Sequence, residues 1–264
     1  MPPVGPVVEM RQSGAVTTLT LNRPSRLNAI DREMSLALVR EIQAVADDQN
    51  CRCLVITGAG RAFCAGQALG TDGETDALPD DIAGLIQERY VPVVMGLANL
   101  NIPVVAAVNG LAVGAGFSLA LAADIRVASE ASWFSCAFAQ LGLVPDSGAT
   151  YFLPRYLGPG RALHYALTGD RITAQTALQL GLVTTLLPAA SFAQESTAFA
   201  ERLAVGATRA LGMTKLALRR SLDATLEQQL QMEAELQQAA SETGDFREGL
   251  LAFRQKRPPH FRGK

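Results

Sequence analysis

Residues 109–125 read NGLAVGAGFSLALAADI. Gly110, Gly114 and Gly116 crowd its first half, and from Phe117 it becomes an apolar run of good helix formers. Glycine is entropically costly to order, so this density signals a place where backbone must approach something closely. A glycine-rich turn that opens a helix also leaves the first N–H groups of that helix unpaired and aimed at one spot, which suits negative charge. The stretch lacks the spaced glycines of a dinucleotide fingerprint and the Lys-Ser/Thr of a phosphate loop. Tight helix packing through small residues is the structural alternative, and this stretch alone does not separate the two.

The neighbouring segments give the stretch a setting. IPVVAAVNG (102–110) is an apolar, buried strand that feeds directly into it. CRCLVITG (51–58) is a second such strand and ends in a second glycine- and alanine-rich turn, GRAFCAGQALG (60–70). AVTTLTL (15–21) alternates as a strand, and IRVAS (125–129) reads as another. Asp31 is placed to cap a helix over 32–48, with Glu33 in its first turn. The acidic stretch 71–81 is loop-like, and a helix follows over 82–99. Helices then dominate, over 147–155, 159–167, 173–180, 188–204, 207–221, 225–241 and 244–255.

Strand–helix alternation giving way to helices predicts an α/β core over 1–200 and a C-terminal helical region over 201–264. The amphipathic helices from 207 onward must cover either the core or a neighbouring subunit. Both glycine-rich turns leave the carboxyl ends of apolar strands, and in a mostly parallel sheet those ends share one edge, where ligands bind. Each turn is then able to aim a main-chain N–H at one oxygen, which is how an oxyanion hole is built.

Composition excludes several classes. Apolar residues make up 48% and charged residues 18% of 264, enough for a large core and an interface. A net charge of −2 argues against a general nucleic-acid or anionic-membrane binder. No run of about 18 apolar residues is present and the first ten residues do not read as a leader, so a soluble cytoplasmic protein is expected. Cys51 and Cys53 are one residue apart in the expected strand and should face the same side. No second pair stands at zinc-ligand spacing, so buried free thiols and no metal site are expected. The two histidines, His164 and His260, lie beside no nucleophile motif, which leaves acid–base work to carboxylates.

Four segments in order, GRAFCAGQALG, VVAAVNGLAVGAGFSLALAADI, LGLVPDSGATYFLPR (141–155) and LTGDRITAQTALQLGLV (167–183), resemble the crotonase, or enoyl-CoA hydratase/isomerase, superfamily over nearly the whole chain. The resemblance implies a crotonase-like ββα spiral core, a C-terminal helical trimerisation region, a homotrimer or dimer of trimers, and an acyl-CoA substrate without a separate cofactor. It implies that the thioester oxygen receives the N–H groups of Gln67 and Ala115. It also places Ala65, Gly66, Ala68, Leu69 and Gly114 against the substrate, and gives CoA recognition to Arg26, Leu27 and Ala29 and to Phe253 and Lys256. Ala68 departs from the aspartate usual there, which bears on local rigidity. The basic stretch 247–264 fits a seat for phosphates as well as a solvated face.

The superfamily shares the hole and varies the acid–base groups, so fold does not name the reaction. Its hydratases use two glutamates, and here Ser118 and Phe138 stand in those places. Neither replaces a carboxylate in activating water. Asp146, in VPDSG, remains. From the residues alone it is either the N-cap of the helix that follows or an acid in an apolar setting. The resemblance gives it the place of the isomerase carboxylate. Shared features at 63–67, 114–116 and 144–148 and the FRGK ending are most similar to the isomerases that rearrange the ring epoxide of phenylacetyl-CoA. An enoyl-CoA hydratase with an atypical acid pair, or a non-catalytic acyl-CoA-binding protein, are the alternatives. Trp133, Phe134, Phe138 and Phe117 fit either an aromatic acyl site or ordinary core.

Overall fold

Alternate residues of the apolar strands go to two separate cores, and this sets the architecture. In the computed structural model, which describes residues 5–70 and 79–264, β1 (Val8–Ser13), β2 (Val16–Leu21), α1 (Arg32–Asp47), β3 (Cys53–Gly58) and β4 (Ala62–Cys64) open the chain. The helix read over 82–99 is α2 (Ile82–Leu85), a π turn (Ile86–Tyr90) and α3 (Val91–Asn99) in one continuous run. Next come β5 (Val104–Val108), β6 (Leu111–Val113), α4 (Ala115–Ala122), β7 (Ile125–Ser129) and β8 (Trp133–Ser135).

One sheet has the order β1-β2-β3-β5-β7-β10, where β10 is Thr185–Leu187. Its strands from β2 onward are parallel, and β1 is antiparallel to β2. The other has the order β4-β6-β8-β9, where β9 is Ile172–Thr173. Each successive strand pair therefore sends its first member (β3, β5, β7) to one sheet and its second (β4, β6, β8) to the other, which is the expected ββα spiral. Leu54, Ile56, Val104, Ala106 and Val108 face the core shared with α1, α3 and α4. Cys53, Val55, Val105, Ala107 and Val127 face the other, closed by Phe192, Ala200 and Ala204 of α8 (Phe192–Ala204). Both faces are covered, as parallel sheets require.

Cys51 and Cys53 do not share a side. The strand begins only at Cys53, so Cys51 joins the first core and Cys53 the second. All four cysteines are buried and free. Asp31 caps α1, accepting the N–H of Met34 at 2.8 Å. The remaining helices are α5 (Ala149–Leu157), α6 (Pro159–Thr168), α7 (Ala174–Gln179), α9 (Thr208–Ser221), α10 (Leu226–Ser241) and α11 (Gly244–Gln255). They start within a few residues of the sequence reading. The exception is α8, expected from 188, whose first turn is instead a short loop over 188–191 after β10.

The tail after α11 folds back on the chain. Asp245 accepts the N–H groups of Arg262 and Gly263 at 2.7 and 2.8 Å. Arg52, just before β3, donates to the Phe261 carbonyl at 3.1 Å and to Thr208 Oγ1 at 2.8 Å. This clasp lies at the amino end of β3, opposite the glycine-rich turns. By contrast α10 buries none of its residues, and Leu226 and Leu230 at its start stand exposed. No helix among the described residues is long and apolar enough to cross a membrane.

Candidate active site

The two glycine-rich turns meet because glycine lets them. Gly66 has φ +95°, and a Cβ there would lie 2.8 Å from the Val113 carbonyl oxygen and 3.4 Å from the Ala115 nitrogen. A Cβ on Gly116 would come within 2.4 Å of the Cys64 carbonyl oxygen. Any side chain at either position would push the turns apart.

Between these glycines lie the two expected amides. The residue 66–68 turn is clamped to Ile30 on one side: Ile30 N–H donates to the Gly66 carbonyl at 2.7 Å, and Ala68 N–H donates to the Ile30 carbonyl at 2.8 Å. That parallel bridge directs the Gln67 N–H away from Ile30. Ala115 is the first residue of α4, a position with no intrahelical acceptor, and no side chain caps the helix.

The loop over 23–30 is held against the same turn. Leu27 accepts the Ala65 N–H at 3.0 Å. Asn28, fully buried, accepts the Arg23 N–H at 2.9 Å and donates to the Ala59 and Ala62 carbonyls at 2.9 and 2.8 Å. Leu27 and Asn28 both take left-handed backbone, with φ 53° and 58°. Arg26 and Ala29 flank this bend on partly open surface, and Leu69 is exposed beyond the turn. Asn28 was not singled out from the sequence. Its only signal was an asparagine in a loop, a residue type that tolerates this backbone.

Asp146 settles between its two sequence readings. α5 starts at Ala149 with Gly148 as its N-cap and no side-chain cap. Ser147 and Gly148 are left-handed, with φ 52° and 87°, and so separate Asp146 from the helix. Its carbonyl accepts the Ala149 N–H at 2.9 Å and the Ser118 hydroxyl at 3.0 Å. Its carboxylate accepts only the neighbouring Ser147 hydroxyl, at 2.8 Å, among the described residues. The side chain is therefore not a cap. Burial raises its pKa above the ordinary 3.8, opposed by the Ser147 hydrogen bond.

Ser118 thus ties Asp146 to α4 one turn beyond Ala115, a link the sequence reading missed. Tyr90 closes the arrangement. It is buried, lies within electrostatic reach of Asp146, and donates to Gln67 Oε1 at 2.6 Å. Tyr90, Ile30, Leu38, Val93, Ala115 and Leu119 line one small apolar pocket, with Ser147 at its edge. Of the three expected residues, Ala115 lines this pocket, Gln67 is hydrogen-bonded to its Tyr90, and Asp146 immediately precedes its Ser147. Burial pushes the nearby Cys64 thiol up to about 12 and Cys136 up to about 11, so neither serves as a thiolate nucleophile near neutral pH.

Residues 11–264 match the family described as enoyl-CoA hydratase/isomerase. The chain belongs to this family. It is 42% identical over 250 residues to the 1,2-epoxyphenylacetyl-CoA isomerase of Escherichia coli K12, covering 94% of this chain and 95% of that protein. It is also 37% identical to the 2,3-dehydroadipyl-CoA hydratase of the same organism, covering 94% and 96%. The crystal structure of the enoyl-CoA hydratase from Bacillus anthracis superposes with a TM-score of 0.91 at 30% identity, over 97% of this chain and 99% of that one. The chain is thus a crotonase-superfamily enzyme acting on acyl-CoA, similar both to isomerases and to hydratases.

Within the family frame, positions 118 and 138 hold a buried serine and a buried phenylalanine. Phe117 and Phe134 are fully buried with ring centroids 5.4 Å apart, which makes them core rather than acyl site. Arg171 stacks over Trp133 at 4.3 Å. Phe253 and Lys256, expected to touch CoA, stand exposed at the end of α11, and no hydrogen bond or ion pair among the described residues joins them to the pocket. In the basic tail Arg257 is already engaged by Glu248, at 2.6 Å. Most of the acidic stretch 71–81, expected to wall the acyl pocket, lies outside the described residues.

Proposed function

We propose that this enzyme is a CoA-thioester isomerase in which Asp146 moves the proton and the amides of Gln67 and Ala115 hold the enolate oxygen. The observation that carries this reading is the setting of Asp146: a half-buried carboxylate beside the pocket, not spent on a helix cap, with serine and phenylalanine where a hydratase needs carboxylates. A raised pKa suits a group that must both take and return a proton.

The sequence of events conserves atoms. Asp146 removes a proton from a carbon next to the conjugated system, and the electron pair moves toward the thioester carbonyl. The two N–H groups stabilise the oxyanion, and Asp146 returns the proton at another carbon. Each element is called on for about 3 kcal/mol, the scale lost when such groups are removed. Coenzyme A enters as part of the substrate, with no separate cofactor, and Arg26, Leu27, Ala29, Phe253 and Lys256 are its assigned contacts.

Two substrates fit: a 3-enoyl-CoA whose double bond moves into conjugation, and the ring epoxide of phenylacetyl-CoA, the latter supported by the name of the E. coli relative. Assembly as a homotrimer, or two such trimers, is supported by the uncovered leucines of α10. The test supplies 2-hexenoyl-CoA, 3-hexenoyl-CoA and the phenylacetyl-CoA epoxide to the purified protein. Isomerisation of the second or third is expected to outrun hydration of the first. Faster hydration of 2-hexenoyl-CoA would overturn the reading in favour of a hydratase, and binding without turnover in favour of an acyl-CoA-binding protein.

A further inference from the structure

A main-chain donor works with any side chain, so an oxyanion amide at residue 67 does not by itself call for glutamine. Yet the Gln67 side chain is held at both ends. Tyr90 donates its hydroxyl to Oε1 at 2.6 Å, and Nε2 donates to the Ala68 carbonyl at 2.9 Å. Tyr90 is only 5% exposed, and burying its phenol against the half-buried Gln67 amide costs desolvation that an apolar pair of the same shape would avoid. What the polar pair adds is direction.

The turn needs that direction on one side only. Ile30 already clamps residues 66–68 through main-chain hydrogen bonds, and the Gln67 N–H faces away from that clamp. Ala68, with no polar side chain, adds only its main-chain bonds to this hold. Tyr90 ends the π turn Ile86–Tyr90, two residues before Pro92 within one continuous helical run. Proline lacks an N–H and disfavours regular helix just before it, and π turns of this kind recur at functional sites.

We propose that Tyr90 is a positioning residue of the oxyanion hole: acting through the Gln67 side chain, it holds the Gln67 amide in line for the thioester oxygen. This rests on the reading of Gln67 and Ala115 as the oxyanion donors. A hydrogen bond that fixes a donor for a developing charge acts in the transition state more than in ground-state binding, so it affects kcat rather than KM.

The experiment compares wild type, Tyr90→Phe, Gln67→Leu and the double variant. Turnover of 3-hexenoyl-CoA is measured, together with the infrared carbonyl band of bound hexanoyl-CoA labelled at the thioester carbon. In the wild type the band moves to lower frequency than in solution. Tyr90→Phe is expected to lower kcat about five- to ten-fold with KM changed less than about two-fold, and to return the band part of the way. Gln67→Leu should do the same, and the double variant no worse than either single one.

Unchanged kcat and an unchanged band in Tyr90→Phe would overturn the inference, as would losses that multiply in the double variant. A wild type that binds hexanoyl-CoA without shifting its carbonyl band would instead remove the oxyanion reading on which it stands. The band is read on folded, ligand-bound protein, so loss of stability in a variant does not mimic the predicted result.

Discussion

A carboxylate that takes and returns a proton near neutral pH needs an environment that favours its protonated form, and burial supplies one at residue 146. The same burial has a stability consequence of definite sign. The folded chain holds this proton more tightly than the unfolded chain, so stability falls as pH rises from the unfolded value near 3.8 through the raised folded value. Asp146→Asn removes that penalty. The variant is expected to melt no lower than the parent in neutral buffer, with any gain vanishing in acid, as calorimetry across pH would show. A drop of several degrees at neutral pH would restore the capping role. The sequence left cap and base undecided here because both place an aspartate just ahead of a helix. The decision came from Ser147 and Gly148, whose left-handed backbone lifts residue 146 off the helix end.

At the scale of elements, the proposed hole is a meeting of turns held by the buried Asn28, the partly buried Asn109 and the absence of side chains. Asn28 bridges the 23–30 loop to the carbonyls of Ala59 and Ala62, and Asn109 donates to Gly60 and Ala62 carbonyls from the far side. Asn28→Ala leaves those groups short of buried partners. It is expected to cost about 2–4 kcal/mol in urea unfolding and to raise KM for the CoA ester, since Arg26 to Ala29 lose their anchor. An unchanged midpoint would mean that main-chain bonds alone hold the loop. The long helices were legible because apolar spacing, and at α1 the Asp31 cap, mark them. The strands β4, β6, β8, β9 and β10 are two or three residues long, too short for alternation to register, and β1 was hidden by its mostly exposed side chains. The pairing of Tyr90 with Gln67 spans 23 residues and left no local trace.

For the whole molecule, the spiral covers both faces of its parallel sheet, while α10 buries nothing and Leu226 and Phe253 are 75% and 82% exposed. Uncovered apolar residues on this scale mark an interaction surface. Replacing Leu226 and Leu230 with glutamate is expected to lower the sedimenting mass of a trimer or hexamer to that of the single chain. Sedimentation unchanged by both substitutions would place the interface elsewhere. The superfamily was legible from four glycine-rich or helix-opening motifs in order. The covering of α10 was not, because an amphipathic pattern reads alike whether a core or a second subunit buries it.

The central claim is that one carboxyl group carries the proton. Its most direct test is the incorporation of solvent deuterium into a 3-enoyl-CoA during turnover in heavy water, compared between wild type and Asp146→Asn at matched CoA-ester occupancy. The account predicts deuterium at C2 and C4, the carbons that lose and receive the proton, in the wild type, reduced about a hundred- to ten-thousand-fold in the variant, with binding retained. Exchange that continues undiminished in Asp146→Asn would contradict it.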